Sequence, residues 1–143
     1  MKNITLKIIN PLENLIRVKE LLLQLDPKKG EIYIQKTLEQ MQELENYTCF
    51  GLFENDKLIG VSSGWTTVRL YCGKQLELDN VIIDKELQSK GLGKIFFDKI
   101  EAWSLQNNYK SLSLNTYVSN SRSHKFYYNQ GYSILGFHFQ KLI

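Results

Sequence analysis

The stretch from Val81 to Lys94 limits the possible folds of this chain more than any other. It starts with the apolar, β-branched run Val81-Ile82-Ile83, passes through charged residues, and ends in Gly91-Leu92-Gly93. Apolar residues then recur at helical spacing, at Ile95, Phe96, Ile100 and Trp103. The stretch therefore predicts a strand, a glycine-rich turn and the start of a helix.

A turn of this kind is suited to binding phosphate. The first amides of a helix have no partner within the helix, and the helix macrodipole is positive at that end. Glycine lets the backbone approach a ligand closely and turn several amides toward it. Two familiar phosphate motifs do not fit the spacing. A P-loop would need glycine at Gln88 and Ser or Thr at Ile95, and a dinucleotide fingerprint would need glycine at Phe96.

Hydrophobic periodicity and turn residues divide the chain into short elements of one domain, residues 1–143. Strands are predicted at 4–9, 47–53, 57–68, 76–83, 111–118 and 132–140, and helices at 11–25, 31–45, 91–107 and 120–129. Asn10 and Pro11 supply a cap and a first residue for the first helix, whereas residues 32–34 also suit a strand. Gly60 and Gly64 mark a bulge or a bend. The order β-α-α-β-β-β-α-β-α-β predicts an α/β (α+β) fold with a mixed sheet flanked by helices.

Composition and charge narrow the functional classes. The chain has 43% apolar and 23% charged residues and a net charge of +3, which is typical of a globular protein. Lysine and arginine are scattered, which disfavours a nucleic-acid surface, while the small positive excess favours an anionic ligand. No run approaches the ~18 apolar residues of a membrane helix, and the first residues lack the apolar core of a signal peptide.

Cysteine and histidine are few and dispersed. The chain has two cysteines, Cys49 and Cys72, without a Cys-x-x-Cys pair, and two histidines, His124 and His138. These residues predict a reduced, cytoplasmic protein without a dedicated metal site. Dimerisation is compatible with the sequence, although no residue pattern indicates it.

Two motifs in the second half of the chain resemble those of the GNAT superfamily of N-acetyltransferases. Gln88-x-x-Gly91-x-Gly93 is similar to its Arg/Gln-x-x-Gly-x-Gly/Ala signature. Residues 120–132 are similar to its Asn-x-x-Ala-x-x-Phe/Leu-Tyr-x-x-x-Gly-Phe segment, with Ser123 in place of alanine and Tyr132 in place of phenylalanine. Gln88 and Ser89 stand where Arg-Gly is commoner, and Lys85 where proline is commoner. The resemblance, which extends to the order of elements, implies a mostly antiparallel sheet with the acyl-CoA N-acyltransferase fold.

The resemblance also implies acetyl-CoA as co-substrate. In the superfamily the glycine-rich loop holds the pyrophosphate of acetyl-CoA, and its pantetheine arm lies between two splayed strands, pairing with exposed backbone. Asn120, at the start of the last helix, would cap that helix and reach the CoA arm. The residues expected to bind acetyl-CoA are Val81, Ile82, Ile83, Gln88, Ser89, Lys90, Gly91, Leu92, Gly93, Lys94 and Asn120.

Acetyl transfer to an amine calls for a base, because a lysine-type amine has a pKa of ~10.4 and is protonated at neutral pH. Glu77 and Asp79 lie two apart on one strand face, a pattern that also describes a half-exposed strand without a function. The resemblance favours Asp79 slightly as the base, and it makes Tyr127 the acid that protonates the departing thiolate. Tyr127 would otherwise be a core aromatic residue.

The sequence therefore predicts an enzyme that transfers the acetyl group of acetyl-CoA to a primary amine, of a small molecule or a peptide. Neither cysteine is placed to carry the acetyl group, so direct attack in a ternary complex is expected. The alternative is a non-catalytic acyl-CoA-binding module, which would keep the loop but would not need Asp79, Glu77 or Tyr127.

Overall fold

A single five-stranded sheet organises the structure, a computed structural model that describes residues 2–143. The elements are β1 (Ile4–Ile9), α1 (Leu15–Leu25), α2 (Glu31–Gln42), β2 (Tyr47–Glu54), β3 (Lys57–Arg69), β4 (Gly73–Ile83), a 3-10 turn (Lys85–Leu87), α3 (Leu92–Gln106), β5 (Ser111–Leu114) and α4 (Ser121–Asn129). The strands lie in the order β1-β2-β3-β4-β5, and only the β4–β5 pair is parallel. This arrangement confirms the predicted mixed, mostly antiparallel sheet flanked by helices.

Alternation along the strands sends apolar side chains to both faces of the sheet. The α3-side core is formed by Phe50, Leu52, Ile59, Leu76, Leu78, Ile83, Phe96, Phe97 and Ile100. The α1-side core is formed by Val18, Leu21, Ile34, Leu38, Phe53, Leu58, Val61 and Ile82. The neighbours Ile82 and Ile83 thus enter opposite cores, so the end of β4 is fixed from both faces.

A β-bulge interrupts β4 shortly before its end. Ser63 of β3 pairs with Asp79, and Val61 pairs with Ile82, so β4 has one residue more than β3 between these pairs. Asn80, within this interval, has a φ of 52°. A bulge bends its strand and increases the local twist. The strand beyond Asp79 therefore changes direction relative to its neighbours.

Two glycines of β3 are required by close packing. A Cβ on Gly60 would lie 2.7 Å from Ile83 Cδ1 and 3.0 Å from the carbonyl oxygen of Ile82. A Cβ on Gly64 would lie 2.7 Å from the ring of Phe50. The β2–β3 register also shifts beside Gly60, as the sequence suggested, whereas Gly64 makes room for a core side chain.

The boundaries of four elements differ from those predicted by three residues or more. β4 begins at Gly73 and not at residue 76. α1 begins at Leu15, because residues 11–14 form turns in which Asn10 Oδ1 accepts the Leu12 N–H at 2.9 Å. α2 is helical from Glu31, which excludes the strand alternative for residues 32–34, and it ends at Gln42. β5 ends at Leu114 and does not extend to residue 118, since its partner β4 bends away there.

The predicted strand at residues 132–140 is wrong. After Tyr132 the residues that the structure describes form no regular element and no backbone hydrogen bond. The apolar alternation typical of a strand is present there, but a strand also needs a neighbour to pair with, and the segment contacts none. Within residues 2–143, no helix combines the length and the apolar character that a bilayer crossing needs.

A buried ion pair fastens α1 to the end of β4. The Asp84 carboxylate, 6% exposed, accepts hydrogen bonds from Arg17 Nη2 and from the Glu86 N–H. Arg17 Nε also donates to the carbonyl oxygen of Leu58 at 2.9 Å. The hydrogen bond from Arg17, followed by that from the Glu86 amide, outweighs burial and lowers the pKa of Asp84. The pair thus fixes the residue from which the glycine-rich loop departs.

Loss of the Arg17 side chain should destabilise the fold and change its acid sensitivity. Arg17→Ala leaves Asp84 buried without a counter-charge, so the free energy of unfolding should fall by about 3 kcal/mol. Because the folded pKa of Asp84 is depressed, its contribution is present above the ordinary Asp pKa and is lost as pH falls through the folded pKa. Urea titrations across pH 2–7 should show a smaller loss on acidification in the variant. The exposed Arg122→Ala is the control, and equal stability of both variants would contradict the assignment.

Candidate active site

A cleft opens where β4 and β5 part. Their parallel pairing ends at Leu78 and Leu114, while β4 continues to Ile83 without a partner on that side. The cleft has a volume of about 340 Å³ and is lined by Trp65, Glu77, Leu78, Asp79 and Asn115. Beyond Leu78 the backbone of β4 therefore presents a free strand edge, which an extended ligand could pair with by adding as a further strand.

The cleft brings together the two carboxylates that the sequence singled out. Glu77 is half-buried, and its Oε1 accepts a hydrogen bond from Asn115 Nδ2 at 2.8 Å. Asp79 is exposed, and its Oδ1 accepts the Asn80 N–H at 2.8 Å. Sequence reasoning missed Asn115, because it comes close to Glu77 only through the parallel pairing of β4 with β5, which sets Ser113 opposite Glu77 and leaves Asn115 just beyond the end of β5.

An aromatic wall faces the carboxylates. The rings of Trp65 and Tyr47 lie 4.9 Å apart, on adjacent positions of β3 and β2. Burial, the largest cause, raises the pKa of the Tyr47 hydroxyl, so it stays protonated. A tryptophan face beside two carboxylates suits a cationic group, which the ring quadrupole and the negative charges both attract. This wall, too, was absent from the sequence analysis.

The glycine-rich loop leaves the first turn of α3 open. Gly91 occupies the N-cap position with φ 76°, and no side chain caps the helix there. Ser89 has φ 68°, a left-handed conformation that costs a residue with a Cβ roughly 1–2 kcal/mol. The side-chain amide of Gln88 donates a hydrogen bond to the carbonyl oxygen of Ile83 at 3.0 Å. The side chain of Lys94 forms an ion pair with Asp98. The free amides and the open space at Gly91 fit an anionic group such as the pyrophosphate of CoA.

The other residues expected to bind acetyl-CoA fall into a buried group and an exposed group. Ile82 and Ile83 are buried and Val81 is half-buried against the α3-side core, so only their backbone is available to a ligand. Lys90 is exposed, and Leu92 packs against the same core. Asn120 Oδ1 accepts the Ser123 N–H at 3.2 Å, which makes Asn120 the cap of α4.

Tyr127 is not among the residues that line the cleft. Its ring packs among Phe97, Phe126 and Tyr132, with centroids 5.6–5.9 Å away, where α4 meets α3. Burial raises the pKa of its phenol, which therefore stays protonated at neutral pH. Tyr128, the next residue of α4, is 59% exposed. The described residues thus include two carboxylates at the cleft and a protonated phenol that packs beside α3.

The cysteines offer no nucleophile at the cleft. Burial raises the pKa of Cys49 to about 11, which disfavours its thiolate. Cys72 lies half-buried at the turn before β4, where its Sγ contacts Gln75 Oε1. Neither cysteine lines the cleft, and residues 2–143 contain no cluster of three or more His, Cys, Asp or Glu side chains that could hold a metal ion.

Comparison with known proteins identifies the family. Residues 15–132 match the profile of the Acetyltransferase (GNAT) family. The uncharacterized N-acetyltransferase YhdJ of Bacillus subtilis is 27% identical over 112 residues, which cover 78% of each chain. The chain belongs to the GNAT acetyltransferase family, and it is an acetyl-CoA-dependent N-acetyltransferase.

Two solved structures share the fold. A GNAT family acetyltransferase from Staphylococcus aureus has a TM-score of 0.80 at 22% identity over 100% of both chains. The aminoglycoside N-acetyltransferase AAC(6')-Iy, solved in complex with CoA, has a TM-score of 0.80 at 14% identity, covering 99% of this chain and 96% of the other. At such identities the likeness shows the fold and leaves the acceptor open.

Replacing Gly91 by aspartate should abolish the binding of acetyl-CoA to the loop. The change puts negative charge and bulk beside the first amides of α3, where the pyrophosphate is expected. Wild-type protein should gain thermal stability with acetyl-CoA by mass action, and Gly91→Asp should show no gain. Gly73→Asp is the matched control for backbone strain, since Gly73, the first residue of β4, has φ 72°. An unchanged gain in Gly91→Asp would place the pyrophosphate elsewhere.

Proposed function

We propose that this enzyme transfers the acetyl group of acetyl-CoA to a primary amine by direct attack in a ternary complex. The observation that carries the proposal is the position of Glu77 and Asp79 beside the free edge of β4. A thioester lying along that edge would bring its carbonyl carbon close to an amine held by the carboxylates. Holding both reactants in one cleft converts a bimolecular reaction into one within a complex.

The binding of acetyl-CoA is assigned to the backbone of two segments. The loop from Gln88 to Lys94 would hold the pyrophosphate on the first amides of α3. The amides of the pantetheine arm would pair with residues 81–83 of β4 along the edge that faces β5, where the β4–β5 pairing has already ended. Asn120 would contact the arm with the part of its amide that the α4 cap leaves free.

The two carboxylates have different surroundings and are given different roles. Asp79, exposed and next to the bulge, accepts the proton of the incoming ammonium, directly or through a water molecule. Glu77, held by Asn115, orients that ammonium and stabilises its charge before deprotonation. A fixed, half-buried carboxylate binds a cation more tightly than a freely rotating one, because less conformational entropy is lost.

Tyr127 is proposed as the acid. Its phenol is protonated at neutral pH, so it can donate a hydrogen bond to the sulfur as negative charge develops there. Such a contact strengthens toward the transition state, which is the condition for catalysis. The tight packing around its ring would hold the hydroxyl in one direction.

The acceptor is proposed to be a small molecule or a peptide that carries a primary amine. Trp65 and Tyr47 would contact the apolar part of this amine, and Glu77 and Asp79 its charge. A neighbour in fold is an aminoglycoside N-acetyltransferase, whose substrates are amines by its name. We also propose a cytoplasmic location, which the two free cysteines support, and no nucleic-acid partner, since basic residues are dispersed.

Removal of the Asp79 carboxylate should reduce turnover without weakening acetyl-CoA binding. An amine-library screen for CoA thiol release supplies the acceptor, and kcat is then measured across pH. Asp79→Asn should lower kcat by about 10²-fold, the low end for general catalysis, and flatten the acid limb of the profile. The thermal stabilisation by acetyl-CoA should be unchanged.

Glu77→Gln is the variant with which Asp79→Asn is compared. It should raise KM for the amine more than it lowers kcat, because it removes binding of the ammonium. If Glu77→Gln alone flattens the acid limb, the two roles are reversed. If no primary amine in the library releases thiol from wild-type protein that binds acetyl-CoA, the proposed acceptor class is wrong.

Loss of the Tyr127 hydroxyl should appear in kcat. Tyr127→Phe keeps the ring and its packing, so stability and acetyl-CoA binding should be retained. General-acid contributions are typically ~10²–10⁴-fold, and a thiolate leaves tolerably unaided, so a decrease of about 10²-fold is expected. Tyr128→Phe, exposed on the next position of α4, should be nearly silent. Full activity of Tyr127→Phe under conditions where chemistry limits the rate would make Tyr127 a packing residue.

A further inference from the structure

The residues beside the cleft form two rows across β2, β3 and β4. One row contains Tyr47, Trp65 and Glu77, and the next contains Cys49, Ser63 and Asp79. Cross-strand partners share a face of the sheet, and so do residues two apart on one strand. Val61, two residues before Ser63, packs in the α1-side core. The six side chains therefore lie on the α1 side of the sheet, and both carboxylates of the cleft are among them.

The Tyr47 hydroxyl is the unusual member of these rows. Its oxygen is buried and has no hydrogen-bond partner among residues 2–143. A buried hydroxyl without a partner destabilises a fold, and phenylalanine would fill the same space without this cost. The hydroxyls of Ser111 and Tyr132 are in the same state, but neither belongs to the two rows. The Tyr47 hydroxyl thus lies beside the cleft with a hydrogen bond still to donate.

Ser63 and Asp79 are polar neighbours of this hydroxyl. Burial, the largest cause, raises the pKa of the Tyr47 phenol; the Cys49 thiol and the Asp79 carboxylate raise it as well, whereas the Ser63 hydroxyl lowers it. Ser63 is 6% exposed and pairs directly with Asp79, so it lies on the middle strand between the phenol and the carboxylate. The two rows therefore place two hydroxyl donors next to one anionic acceptor.

The Asp79 carboxylate has acceptor capacity that its present contacts do not use. Oδ1 accepts the Asn80 N–H at 2.8 Å, and Oδ2 accepts a hydrogen bond from Asn80 Nδ2 at 3.3 Å. Both donors belong to the bulge, and neither belongs to the sheet face that carries Ser63. An ionised carboxylate has about four lone-pair sites, so it can keep a bond to Asn80 and accept another from β3. A second donor would also fix its direction toward the amine, which a base needs.

We propose that Tyr47 and Ser63 are positioning residues for Asp79. When the acceptor ammonium draws the Asp79 carboxylate over the cleft, the Ser63 hydroxyl donates a hydrogen bond to that carboxylate, and the Tyr47 hydroxyl donates one to Ser63 Oγ. Hydrogen bonds of catalytic groups often form only in the complex with substrate. The chain holds one carboxylate oxygen against the sheet and leaves the other for the proton of the amine. The inference rests on the proposed function, in which Asp79 is the base.

Removal of the Tyr47 hydroxyl should separate activity from stability. With acetyl-CoA and the best acceptor from the amine library, Tyr47→Phe should lower kcat about 10-fold, the effect of one hydrogen bond to a charged group. KM for both substrates should be retained. The melting temperature should equal or exceed that of the wild type, because the lost hydroxyl has no partner in the free protein.

Tyr109→Phe is the matched control, because the Tyr109 hydroxyl is hydrogen-bonded to Thr66 Oγ1 at 2.6 Å and does not line the cleft. It should melt about 3 °C lower and keep kcat, the reverse of the result for Tyr47→Phe. If Tyr47→Phe raises only the KM for the amine, its hydroxyl binds the acceptor itself and the proposal is wrong.

Ser63 variants test the middle of the chain. Ser63→Ala should lower kcat as Tyr47→Phe does, and Ser63→Thr, which keeps a hydroxyl, should restore most of the loss. Ser62→Ala is the control on the opposite face, where Ser62 pairs with Phe50 of the α3-side core and its Oγ donates to the carbonyl oxygen of Ser63. It should leave kcat unchanged. Equal kcat in Ser63→Ala and the wild type overturns the proposal.

A double-mutant cycle shows whether the effect passes through Asp79. In protein that already carries Asp79→Asn, adding Tyr47→Phe should give no further decrease in kcat, because the group it positions is gone. Two decreases that multiply would show that Tyr47 acts on something else. If Asp79→Asn lowers kcat and Tyr47→Phe does not, this inference is wrong and the proposed function stands. If Asp79→Asn itself keeps full kcat, the proposed base is wrong and the inference falls with it.

Discussion

The parting of β4 from β5 after Leu78 and Leu114 is the constraint on which the rest of the site depends. While the two strands pair, their backbone groups satisfy each other and leave nothing for a ligand. Once the bulge at Asn80 turns β4 away, the same groups become available along five residues. The free edge, the carboxylates at its start and the loop at its end all derive from this one local change of direction.

A divergent pair of strands needs to be held open, and polar side chains do this from both ends. Asn115 bridges to Glu77 at the point where the strands separate. At the other end, Arg17 holds Asp84 so that β4 cannot swing back. The apolar cores fill the two faces of the sheet between these points, with Ile82 and Ile83 in opposite layers. Hydrogen bonds thus fix the direction of β4, while apolar packing fixes its position between the two cores.

Most of the fold could be predicted from the sequence, because alternation, helical spacing and turn residues are local properties. The errors arise where the outcome depends on a distant partner. Residues 115–118 continue the alternation of β5, but β4 has already turned away, and residues 132–140 have a strand pattern without a neighbour. Likewise Glu77 and Asp79 could be found from their spacing on β4. Trp65 enters the cleft because it pairs with Glu77 across β3 and β4, and Asn115 enters it because it follows β5, and no local pattern reveals either placement.

Gly60 shows how the absence of one methyl group can set the spacing of a whole layer. A Cβ there would lie 2.7 Å from Ile83 Cδ1 and 3.0 Å from the carbonyl oxygen of Ile82, so the Ile83 side chain would have to turn away and the backbone of β4 would have to shift slightly. Gly91, in contrast, has open space around it and is needed only for its left-handed backbone. In a library randomised at both positions, residue 60 would be selected for the smallest side chain, glycine above all. Residue 91 would also admit asparagine, so the two glycines would separate into a steric and a conformational class.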